Sequence, residues 1–347
     1  MSAPATVSVV IPCRNEARYI ASCLDSIAAS DFPKERLEVL VVDGMSEDGT
    51  RDVLKDYSAR CPFVKVVDNP RRITPVAFNL GIQAARGDLI MIMSAHATYA
   101  PDAITKCVQY SGEYRADNVG GVWRVKPRSE SFTDRAVVIA LSHPFGVGGA
   151  RYRTQMGPRP RWVDTAAYGC YRRKVFETVG LFNERLVRGQ DMELNMRLRK
   201  AGGKTLLAPD VVVNYFARSD FLSFSRHNFR NGVWAVLPFL YSPVMPVAWR
   251  HLTPLAFVAA LVVSALLAVV WPPAAVLLGL VAAPYALLSL VASAHVAVRA
   301  RDPRFFLVMP FIFASLHVCY GLGSLWGLIK VCAQWPLRRR LTASAAR

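Results

Sequence analysis

The chain has 347 residues, of which 53% are hydrophobic and only 19% are charged, and its mean hydropathy is +0.25. These values exclude a single ordinary soluble domain, so we expect a membrane part beside a folded domain. The net charge of +17 suits anionic lipid headgroups or diphosphate ligands. Lys and Arg form no dense run interleaved with aromatic residues, which argues against nucleic acid as a partner.

Short apolar runs alternate with amphipathic stretches through the first hundred residues. The pattern predicts strands at 7–11, 37–42, 63–67 and 89–93, and helices at 17–29, 50–59 and 75–85. Strands that alternate with helices in this way indicate an α/β fold with a mostly parallel, Rossmann-like sheet. Beyond residue 110 the pattern loosens, and the remaining helices are predicted at 173–179 and 191–201.

The composition changes after Asp220. Aromatic and basic residues interleave over 221–234, as expected for an amphipathic helix at the bilayer surface. Three apolar stretches follow at 252–270, 274–298 and 305–329, and each is long enough to cross roughly 30 Å of hydrocarbon. The predicted organisation is therefore a folded domain over 1–220, an interfacial segment over 221–249, a membrane domain over 250–335 and a basic tail over 336–347.

Charge in the connecting segments predicts the orientation. Arg299, Arg301 and Arg304 between the second and third spans favour the cytoplasmic side. The apolar run at 7–11 is too short for a signal peptide, so we expect the N-terminal domain in the cytoplasm, on a multi-pass protein of the inner (plasma) membrane. Three spans would place the arginines at 338–340 outside, so either 233–249 enters the membrane as a fourth element or the tail is an exception.

Polar residues follow the ends of the first two predicted strands. The first strand leads into Pro12, Arg14 and Glu16, and the second leads into Asp43 and Asp48. Side chains at the carboxyl ends of parallel strands line the crevice in which open α/β sheets bind ligands. A buried Asp43 without a partner would be costly, so we predict that it accepts hydrogen bonds from a ligand. The alternative for Asp48 is a capping role at the next helix.

The ordered motifs resemble those of the inverting family 2 glycosyltransferases, which have the GT-A fold. They are Pro-Cys-Arg-Asn-Glu at 12–16, Asp-Gly-Met-Ser-Glu-Asp-Gly-Thr at 43–50, Ala-Phe-Asn-Leu-Gly at 77–81 and Gly-Asp at 87–88. Within the family, the chain looks most like bacterial exopolysaccharide enzymes of the succinoglycan type. The resemblance implies a nucleotide-diphosphate sugar donor, with contacts from Pro12, Arg14, Glu16, Asp43, Asp48, Asn79 and Ser94.

The metal motif departs from the family pattern. Where the family usually has Asp-x-Asp after the central strand, this chain has Ser94, Ala95 and His96. The resemblance implies a divalent metal, Mn²⁺ or Mg²⁺, and His96 is the candidate ligand. Imidazole suits later transition metals better than Mg²⁺, so we expect a preference for Mn²⁺. A structural role for this histidine is the alternative.

A second acidic motif begins a predicted helix with Gln190 and Asp191. It is similar to the Glu-Asp segment that supplies the family's general base, with Gln190 in place of the more usual Glu. Inverting transfer needs a carboxylate that removes the acceptor hydroxyl proton, and the resemblance assigns this role to Asp191. The alternative is an acidic first turn that merely complements the helix dipole.

Gln190 and four further residues are predicted on the acceptor side. His143 and Arg172 lie in segments that resemble the acceptor-side loop and helix of the succinoglycan-type enzymes, and a structural role is the alternative for His143. Arg226 and Arg230 belong to the aromatic and basic stretch before the spans. The segment over 227–231 lacks the Gln-x-x-Arg-Trp motif of processive synthases, which favours transfer of a single sugar.

Together the motifs predict a membrane-anchored inverting glycosyltransferase of cell-surface polysaccharide or glycan synthesis. The expected partners are a nucleotide-diphosphate sugar, a lipid-linked (polyprenyl) saccharide acceptor and membrane lipids. Two alternatives are a polyprenyl-phosphate sugar synthase of the same fold and a nucleotide-sugar-binding membrane scaffold without turnover, which the missing Asp-x-Asp suggests.

Overall fold

A computed structural model describes residues 5–150, 152–154, 157–167, 169–217, 220–242 and 249–344. The chain forms two compact units. The first unit comprises Met1–Arg124 and Arg151–Phe216, and the second comprises Val125–Ala150 and Ala217–Arg347. The second unit thus includes the segment 125–150, which precedes the predicted boundary at 220.

One mixed sheet contains the strands of the described residues. They are β1 (Val7–Cys13), β2 (Leu37–Asp43), β3 (Val64–Asp68), β4 (Leu89–Ile92), β5 (Ala97–Tyr99), β6 (Asn118–Lys126), β7 (Arg161–Val163), β8 (Cys170–Arg172) and β9 (Thr205–Phe216). Their order is β3-β2-β1-β4-β8-β6-β9-β5, and β7 also pairs with β9. The neighbours β3, β2, β1 and β4 run parallel, whereas β8 is antiparallel to both β4 and β6, and β9 is antiparallel to β5 and β7. The expected mostly parallel sheet is thus confined to its first four strands.

Helices cover the sheet and form the C-terminal part of the chain. In the first unit they are α1 (Ala17–Ala28), α2 (Thr50–Arg60), α3 (Thr74–Ala84), α4 (Ala103–Glu113), α7 (Arg173–Val179) and α8 (Gln190–Lys200). In the second unit they are α5 (Phe132–Ala140), α6 (Pro144–Val147), α9 (Phe221–Val236), α10 (Pro238–Tyr241), α11 (Trp249–Val270), α12 (Ala275–Ala300) and α13 (Arg304–Ser344). Short 3-10 turns occur at Lys34–Arg36 and Pro272–Ala274.

Both faces of the parallel strands are buried, which explains their nearly continuous apolar runs. On one face, Val9 and its neighbours pack with Leu24 of α1 and Leu54 of α2. On the other face, Val10 packs with Ile82 of α3 and Leu194 of α8. The sheet is therefore the middle layer of three, and the loops that follow β1, β2 and β4 emerge together at its carboxyl edge.

Close backbone approach holds α9 against α13. A Cβ atom built at Gly232 would lie 1.9 Å from the Tyr320 carbonyl oxygen, and one at Gly323 would lie 2.0 Å from that of Phe229. The Ser324 hydroxyl also donates to the Gly232 carbonyl oxygen at 3.1 Å. Small residues at such contacts are typical of helices that pack in a membrane. One face of α9 is thus buried on α13, so this helix does more than lie on the bilayer surface.

Three helices of the described residues are long and apolar enough to cross a membrane, which confirms the predicted number by length and composition. They are His251–Val270, Pro272–Ala300 and Arg304–Gln334. Of the predicted fourth membrane element over 233–249, residues 233–241 lie in the end of α9 and in α10, whereas 243–248 lie outside the described residues. The predicted tail over 336–347 does not begin a new element, because α13 continues to Ser344.

Candidate active site

The fully buried carboxylate of Asp43 ends β2. Its Oδ2 accepts hydrogen bonds from the Ser46 backbone N–H (3.0 Å) and from Arg51 Nη1 (2.8 Å), and its Oδ1 accepts one from the Ser46 hydroxyl (2.5 Å). Arg51 Nη1 also reaches Asp68 Oδ1 at 2.9 Å, at the end of the adjacent β3. These contacts give Asp43 the partners that a buried carboxylate requires, and they hold the loop after β2 in one conformation.

Asp48 joins the loops that follow β1 and β2. Its Oδ1 accepts from the Thr50 backbone N–H (3.1 Å) and hydroxyl (2.5 Å), while its Oδ2 accepts from the Ala17 backbone N–H (3.1 Å). Desolvation alone would raise the pKa of Asp48, but these hydrogen bonds outweigh it and the pKa is lowered. Asp48 therefore has the capping geometry considered from sequence, at the first turns of both α1 and α2.

The segment after β1 is fastened to the same loop. Asn15 has a φ of 54°, its backbone N–H donates to the Ser46 hydroxyl (2.8 Å), and its Oδ1 accepts from the Glu47 backbone N–H (3.0 Å). The Gly44 backbone N–H donates to the Cys13 carbonyl oxygen at 2.7 Å. Because Asn tolerates the left-handed region, this position can turn the chain sharply beside the crevice. Pro12, at the end of β1, is partly buried at the same edge.

Arg14 lies against Gly44 and reaches toward the loop after β3. A Cβ atom at Gly44 would lie 3.2 Å from the Arg14 side chain, so glycine leaves room for the arginine there. Arg14 Nη1 is 3.4 Å from the Arg72 carbonyl oxygen. The guanidinium is exposed at the carboxyl edge of the parallel strands, where it can meet an anionic ligand.

His96 forms a pair with Glu16 that the sequence did not predict. His96 Nδ1 donates to Glu16 Oε1 at 3.0 Å, and its ring lies 5.3 Å from that of Tyr215 on β9. With the proton on Nδ1, the lone pair of the neutral ring is on Nε2, which is the arrangement of a metal-binding histidine oriented by a carboxylate. Glu16, predicted to contact the donor, therefore contacts His96 in this structure.

The residues around His96 fit a metal ion only if a bound diphosphate supplies some of its ligands. The buried Ser94 hydroxyl has no hydrogen-bond partner among the described residues, two positions before His96. Within the same residues there is no group of three or more His, Cys, Asp or Glu side chains that could hold a metal ion. A metal bound here would take His96 Nε2 and the Ser94 hydroxyl from the protein and its remaining ligands from a diphosphate and water, as Mg²⁺ and Mn²⁺ sites commonly do.

Asp191 occupies the first turn of α8, after Gly189 with a φ of 73°. Desolvation raises the pKa of its carboxyl, against the opposing effects of the backbone N–H groups of Met192 and Asp191 and of the Arg153 guanidinium. A desolvated carboxylate with a raised pKa is suited to accept a proton near neutral pH. The geometry thus supports the role that the resemblance implied.

A buried polar network supports the first turns of α8. Asn195 Oδ1 accepts from Asn118 Nδ2 at 2.8 Å, and its Nδ2 donates to the Ala166 carbonyl oxygen at 3.1 Å. Arg197 forms a two-pronged ion pair with the buried Glu193, with three nitrogen-to-oxygen distances of 2.8 to 3.0 Å. Since such networks restrict side-chain freedom, α8 is a rigid platform for Asp191.

Two predicted residues use their polar atoms within the fold. Asn79 Nδ2 donates to the Phe182 carbonyl oxygen (3.0 Å) and to Glu184 Oε1 (3.1 Å), and its Oδ1 accepts from the Phe182 backbone N–H (2.9 Å). Gln190 Nε2 donates to the Val187 carbonyl oxygen at 2.7 Å. Both side chains therefore hold the segment that precedes α8.

Arg172, predicted on the acceptor side, ends β8 and uses its polar atoms within the fold. Arg172 pairs with Leu89 across β8 and β4, at the amino end of β4 and hence at the edge opposite the crevice. Its guanidinium is occupied by the carbonyl oxygens of Ala116, at 3.0 Å, and Ser111. Because antiparallel β8 runs away from the carboxyl edge, its last residue cannot face the crevice.

The other three acceptor-side candidates belong to the second unit. Arg226 and Arg230 are exposed on α9. His143 precedes α6, and its Nδ1 accepts from the Phe145 backbone N–H at 3.1 Å. This capping contact agrees with a structural role, which is the alternative for His143.

Two functional candidates were missed from sequence. Arg51 contacts Asp43, and its position one residue after the Asp-Gly-Thr motif was the available signal. Arg153 lies near Asp191, and its Nε is buried without a partner among the described residues. Its guanidinium carbon is 5.7 Å from the Trp123 ring centroid. No short motif marks Arg153, because only the fold brings it beside α8.

Known proteins show the same organisation. The description "Glycosyl transferase family 2" matches residues 8–180. A dolichyl N-acetyl-alpha-D-glucosaminyl phosphate 3-beta-D-2,3-diacetamido-2,3-dideoxy-beta-D-glucuronosyltransferase of Methanococcus voltae is 28% identical over 332 residues, or 93% of this chain and 97% of the relative. Succinoglycan biosynthesis protein ExoA of Rhizobium meliloti is 31% identical over 264 residues, or 76% of this chain and 78% of the relative.

A solved structure has the same fold. A mannosyltransferase from Pyrobaculum calidifontis, in complex with GDP-Man and Mn²⁺, superposes with a TM-score of 0.60 and 22% identity, covering 94% of this chain and 88% of that one. This likeness confirms the GT-A fold. With the ordered motifs at the carboxyl edge of the sheet and a raised-pKa carboxylate on α8, the matches establish that the chain is a glycosyltransferase and belongs to glycosyl transferase family 2.

Proposed function

We propose that this enzyme transfers one sugar, with inversion, from a nucleotide-diphosphate sugar to a lipid-linked saccharide acceptor in cell-surface polysaccharide or glycan synthesis. The observation that carries the proposal is the desolvated Asp191 carboxylate on the rigid platform of α8, in the same unit as the motifs of the donor crevice. The name of the Methanococcus voltae relative, which includes a dolichyl-linked saccharide, agrees with an acceptor of this class, and that of the Rhizobium meliloti relative agrees with polysaccharide synthesis.

The donor would lie along the carboxyl edge of β1, β2 and β4. Pro12 and Arg14 present surface there, the buried Ser94 follows β4 at the same edge, and the exposed Arg14 guanidinium suits the diphosphate. We assign Asp43 to the nucleotide wall, where its bonds to Ser46 and Arg51 shape the surface that the donor meets. Asp48 and Asn79 support this wall through the loops they hold.

We assign His96 as the metal ligand from the protein, with Ser94 beside it. A divalent ion bound there would offset negative charge on the diphosphate as it leaves. The Glu16 carboxylate holds the His96 ring through Nδ1, which leaves the Nε2 lone pair available for the metal. Because one imidazole and one hydroxyl are weak ligands for Mg²⁺, we expect Mn²⁺ to be preferred.

The chemistry assigned to this chain is one displacement. Asp191 removes the proton of the acceptor hydroxyl while that oxygen forms a bond to the anomeric carbon. The bond between the anomeric carbon and the diphosphate oxygen breaks at the same time, and the diphosphate leaves with the electron pair. Attack from the face opposite the leaving group inverts the configuration. Arg153 is close enough to influence the Asp191 carboxylate electrostatically.

The membrane part would keep the enzyme beside its lipid acceptor. We infer a multi-pass protein of the inner (plasma) membrane with the sugar-transfer domain in the cytoplasm, because Arg299, Arg301 and Arg304 cluster where α12 ends and α13 begins. Arg226 and Arg230, exposed on α9 beside Phe229, suit contact with anionic headgroups.

A polyprenyl-phosphate sugar synthase is the second candidate, and Asp191 separates the two. A phosphate acceptor is already an anion near neutral pH and has no hydroxyl proton for a base to remove. A hydroxyl acceptor does need the base. The desolvated Asp191 therefore favours a saccharide hydroxyl as the acceptor group.

The test is a donor panel with the full-length protein in membranes, with released nucleoside diphosphate and labelled lipid product as the two readouts. Asp191→Asn should lower transfer by roughly 10² to 10⁴, the typical contribution of a positioned general base, while donor binding stays near wild type. Asp52→Asn is the matched control, because Asp52 is also an acid in the first turn of a helix, on the exposed side of α2.

Each result has a definite meaning. Loss of transfer in Asp191→Asn but not in Asp52→Asn supports the proposal. Near wild-type turnover in Asp191→Asn would remove this carboxylate from the mechanism and favour the phosphate acceptor. Donor binding without any release of nucleoside diphosphate across the panel would instead indicate a scaffold.

A further inference from the structure

Two imidazoles and a guanidinium meet where α6 lies against α12. The ring centroids of His143 and His295 are 5.9 Å apart. Arg299 follows His295 by one helical turn, so both project from the same face of α12. Desolvation holds the pKa of His143 below its usual value, and the nearby His295 and Arg299 act in the same direction. All three groups belong to the second unit, whereas Asp191 belongs to the first.

This cluster, His143, His295 and Arg299, presents hydrogen-bond donors. His143 Nδ1 already accepts from the Phe145 backbone N–H, so the proton of the neutral ring is on Nε2. His295 and Arg299 are exposed and make no hydrogen bond or ion pair with any described residue. No carboxylate contributes to the electrostatic shift at His143. Donors without acceptors favour an anionic ligand.

A metal ion is the less suitable occupant. Among the described residues there is no group of three or more His, Cys, Asp or Glu side chains of the kind that holds a metal. The permanently charged Arg299 guanidinium repels a cation, and no carboxylate contributes to the electrostatics at His143 to offset that charge. Phosphate oxygens, in contrast, accept from imidazole N–H groups and from the guanidinium at once.

An apolar surface continues from the cluster toward the hydrocarbon. Tyr285 lies ten residues before His295 on α12, about 15 Å along the helix axis. Its ring stacks on Phe257 of α11 at 4.5 Å and lies 5.8 Å from Phe145. Leu288 and Val291, between Tyr285 and His295, are exposed. A ligand with an anionic head and a long apolar chain matches a basic cluster that is followed along α12 by exposed apolar side chains.

The contact between α6 and the spans is fixed by hydrogen bonds. His317 Nε2 donates to the Gly146 carbonyl oxygen at 3.2 Å, and the Tyr285 hydroxyl donates to His317 Nδ1 at 2.9 Å. A Cβ atom at Gly146 would lie 2.1 Å from the Ala140 carbonyl oxygen, so α6 is seated closely. The cluster is therefore held in place by α6, α12 and α13 together.

We propose that His143, His295 and Arg299 bind the phosphate of the lipid-linked acceptor, with its polyprenyl chain along the exposed apolar surface of α12. The inference rests on the proposed function for the choice of lipid. In this proposal the second unit recognises the phosphate of the lipid-linked acceptor, whereas Asp191 of the first unit removes the proton of its saccharide hydroxyl.

The test measures binding of undecaprenyl phosphate to the full-length protein in phosphatidylcholine nanodiscs. The double variant His295→Gln and Arg299→Gln should bind at least about tenfold more weakly, since each lost charge-assisted hydrogen bond has an effect of that size. Arg301→Gln is the control, because it removes the same charge from the residue just beyond α12. Its affinity should stay within about twofold of wild type, as for a surface charge.

Separate arms identify the source of the phosphate. Phosphatidylglycerol and inorganic pyrophosphate should compete poorly, because one lacks the polyprenyl chain and the other lacks any chain. Equal affinity of the double variant and wild type would overturn the proposal, as would phosphatidylglycerol binding as tightly as undecaprenyl phosphate. Since binding is measured without a donor, this result does not depend on the outcome for Asp191→Asn.

A kinetic readout distinguishes recognition from folding. The double variant should raise the KM for the lipid acceptor and leave the KM for the donor unchanged. Changes in both constants together with a lower melting temperature would indicate a structural role for the cluster, against the proposal.

Discussion

Replacing Asp43 by alanine tests whether this carboxylate organises the donor wall. The side chain is fully buried and accepts two hydrogen bonds from Ser46, so the Ser46 backbone N–H would lose its partner. An unsatisfied buried donor costs about 1–3 kcal/mol. The ion pair with Arg51 adds less than about 1 kcal/mol, because the Arg51 side chain is 42% exposed. We expect the loop over 43–51 to lose about 1–4 kcal/mol of local stability.

The suitable assay is hydrogen–deuterium exchange of the full-length protein in detergent, followed for peptides that cover 43–52. Local opening free energies are read directly from such data, without a two-state assumption for the whole chain. Asp68→Ala is the matched control. It breaks the other half of the Arg51 bridge, but the Asp68 side chain is 53% exposed, so the change should stay below about 1 kcal/mol.

Donor binding measured on the same variants completes the experiment. If Asp43 shapes the wall through the loop, Asp43→Ala should increase exchange and weaken donor binding together. Unchanged exchange would refute the reasoning from burial and hydrogen bonds. Weaker donor binding with unchanged exchange would show instead that the carboxylate contacts the donor directly.

Three further predictions concern the metal, the base and the membrane helices. His96→Ala should abolish Mn²⁺-dependent transfer. Glu16→Gln should raise the Mn²⁺ concentration required for transfer by about 10- to 100-fold, because it removes the carboxylate that orients the His96 ring. Full activity in excess chelator would contradict both expectations. Because desolvation raises the pKa of Asp191, transfer should decline with falling pH at a pH above the ordinary carboxyl value of about 3.9, and a pH–rate profile without that acidic limb would contradict the assignment. Gly323→Ala should lower the melting temperature, since the new Cβ would meet a carbonyl oxygen of α9 at 2.0 Å, whereas Gly279→Ala has nothing within 4 Å and should leave it unchanged.

The first half of the sheet was predictable because its signals are local. Buried parallel strands require short continuous apolar runs, and the helices between them carry their own periodicity, so predicted and observed bounds from β1 to β4 agree within about two residues. The strands after β4 were not predicted. Segments such as Cys170–Arg172 and Arg161–Val163 have three residues each, too few to show a period.

The sequence also did not predict residue roles that depend on strand direction or strand order in the sheet. Arg172 stood in a motif that resembled an acceptor-side segment, but the antiparallel run of β8 places it at the amino edge of β4. Glu16 and His96 are 80 positions apart, and only the adjacency of β1 and β4 brings them to 3.0 Å. The segment 125–150 has no composition that separates it from its flanks, yet it packs with the C-terminal helices.

The sequence by itself determined the chemistry and the environment of this protein. Motif order indicated the glycosyltransferase family, and apolar stretches indicated three membrane helices, because both properties reside in contiguous residues. The tertiary structure alone decided which polar groups meet. Burial of Asp43 with Arg51, desolvation of Asp191 and the grouping of His143 with His295 arise from packing between distant segments, and distances across a fold are not encoded in local patterns.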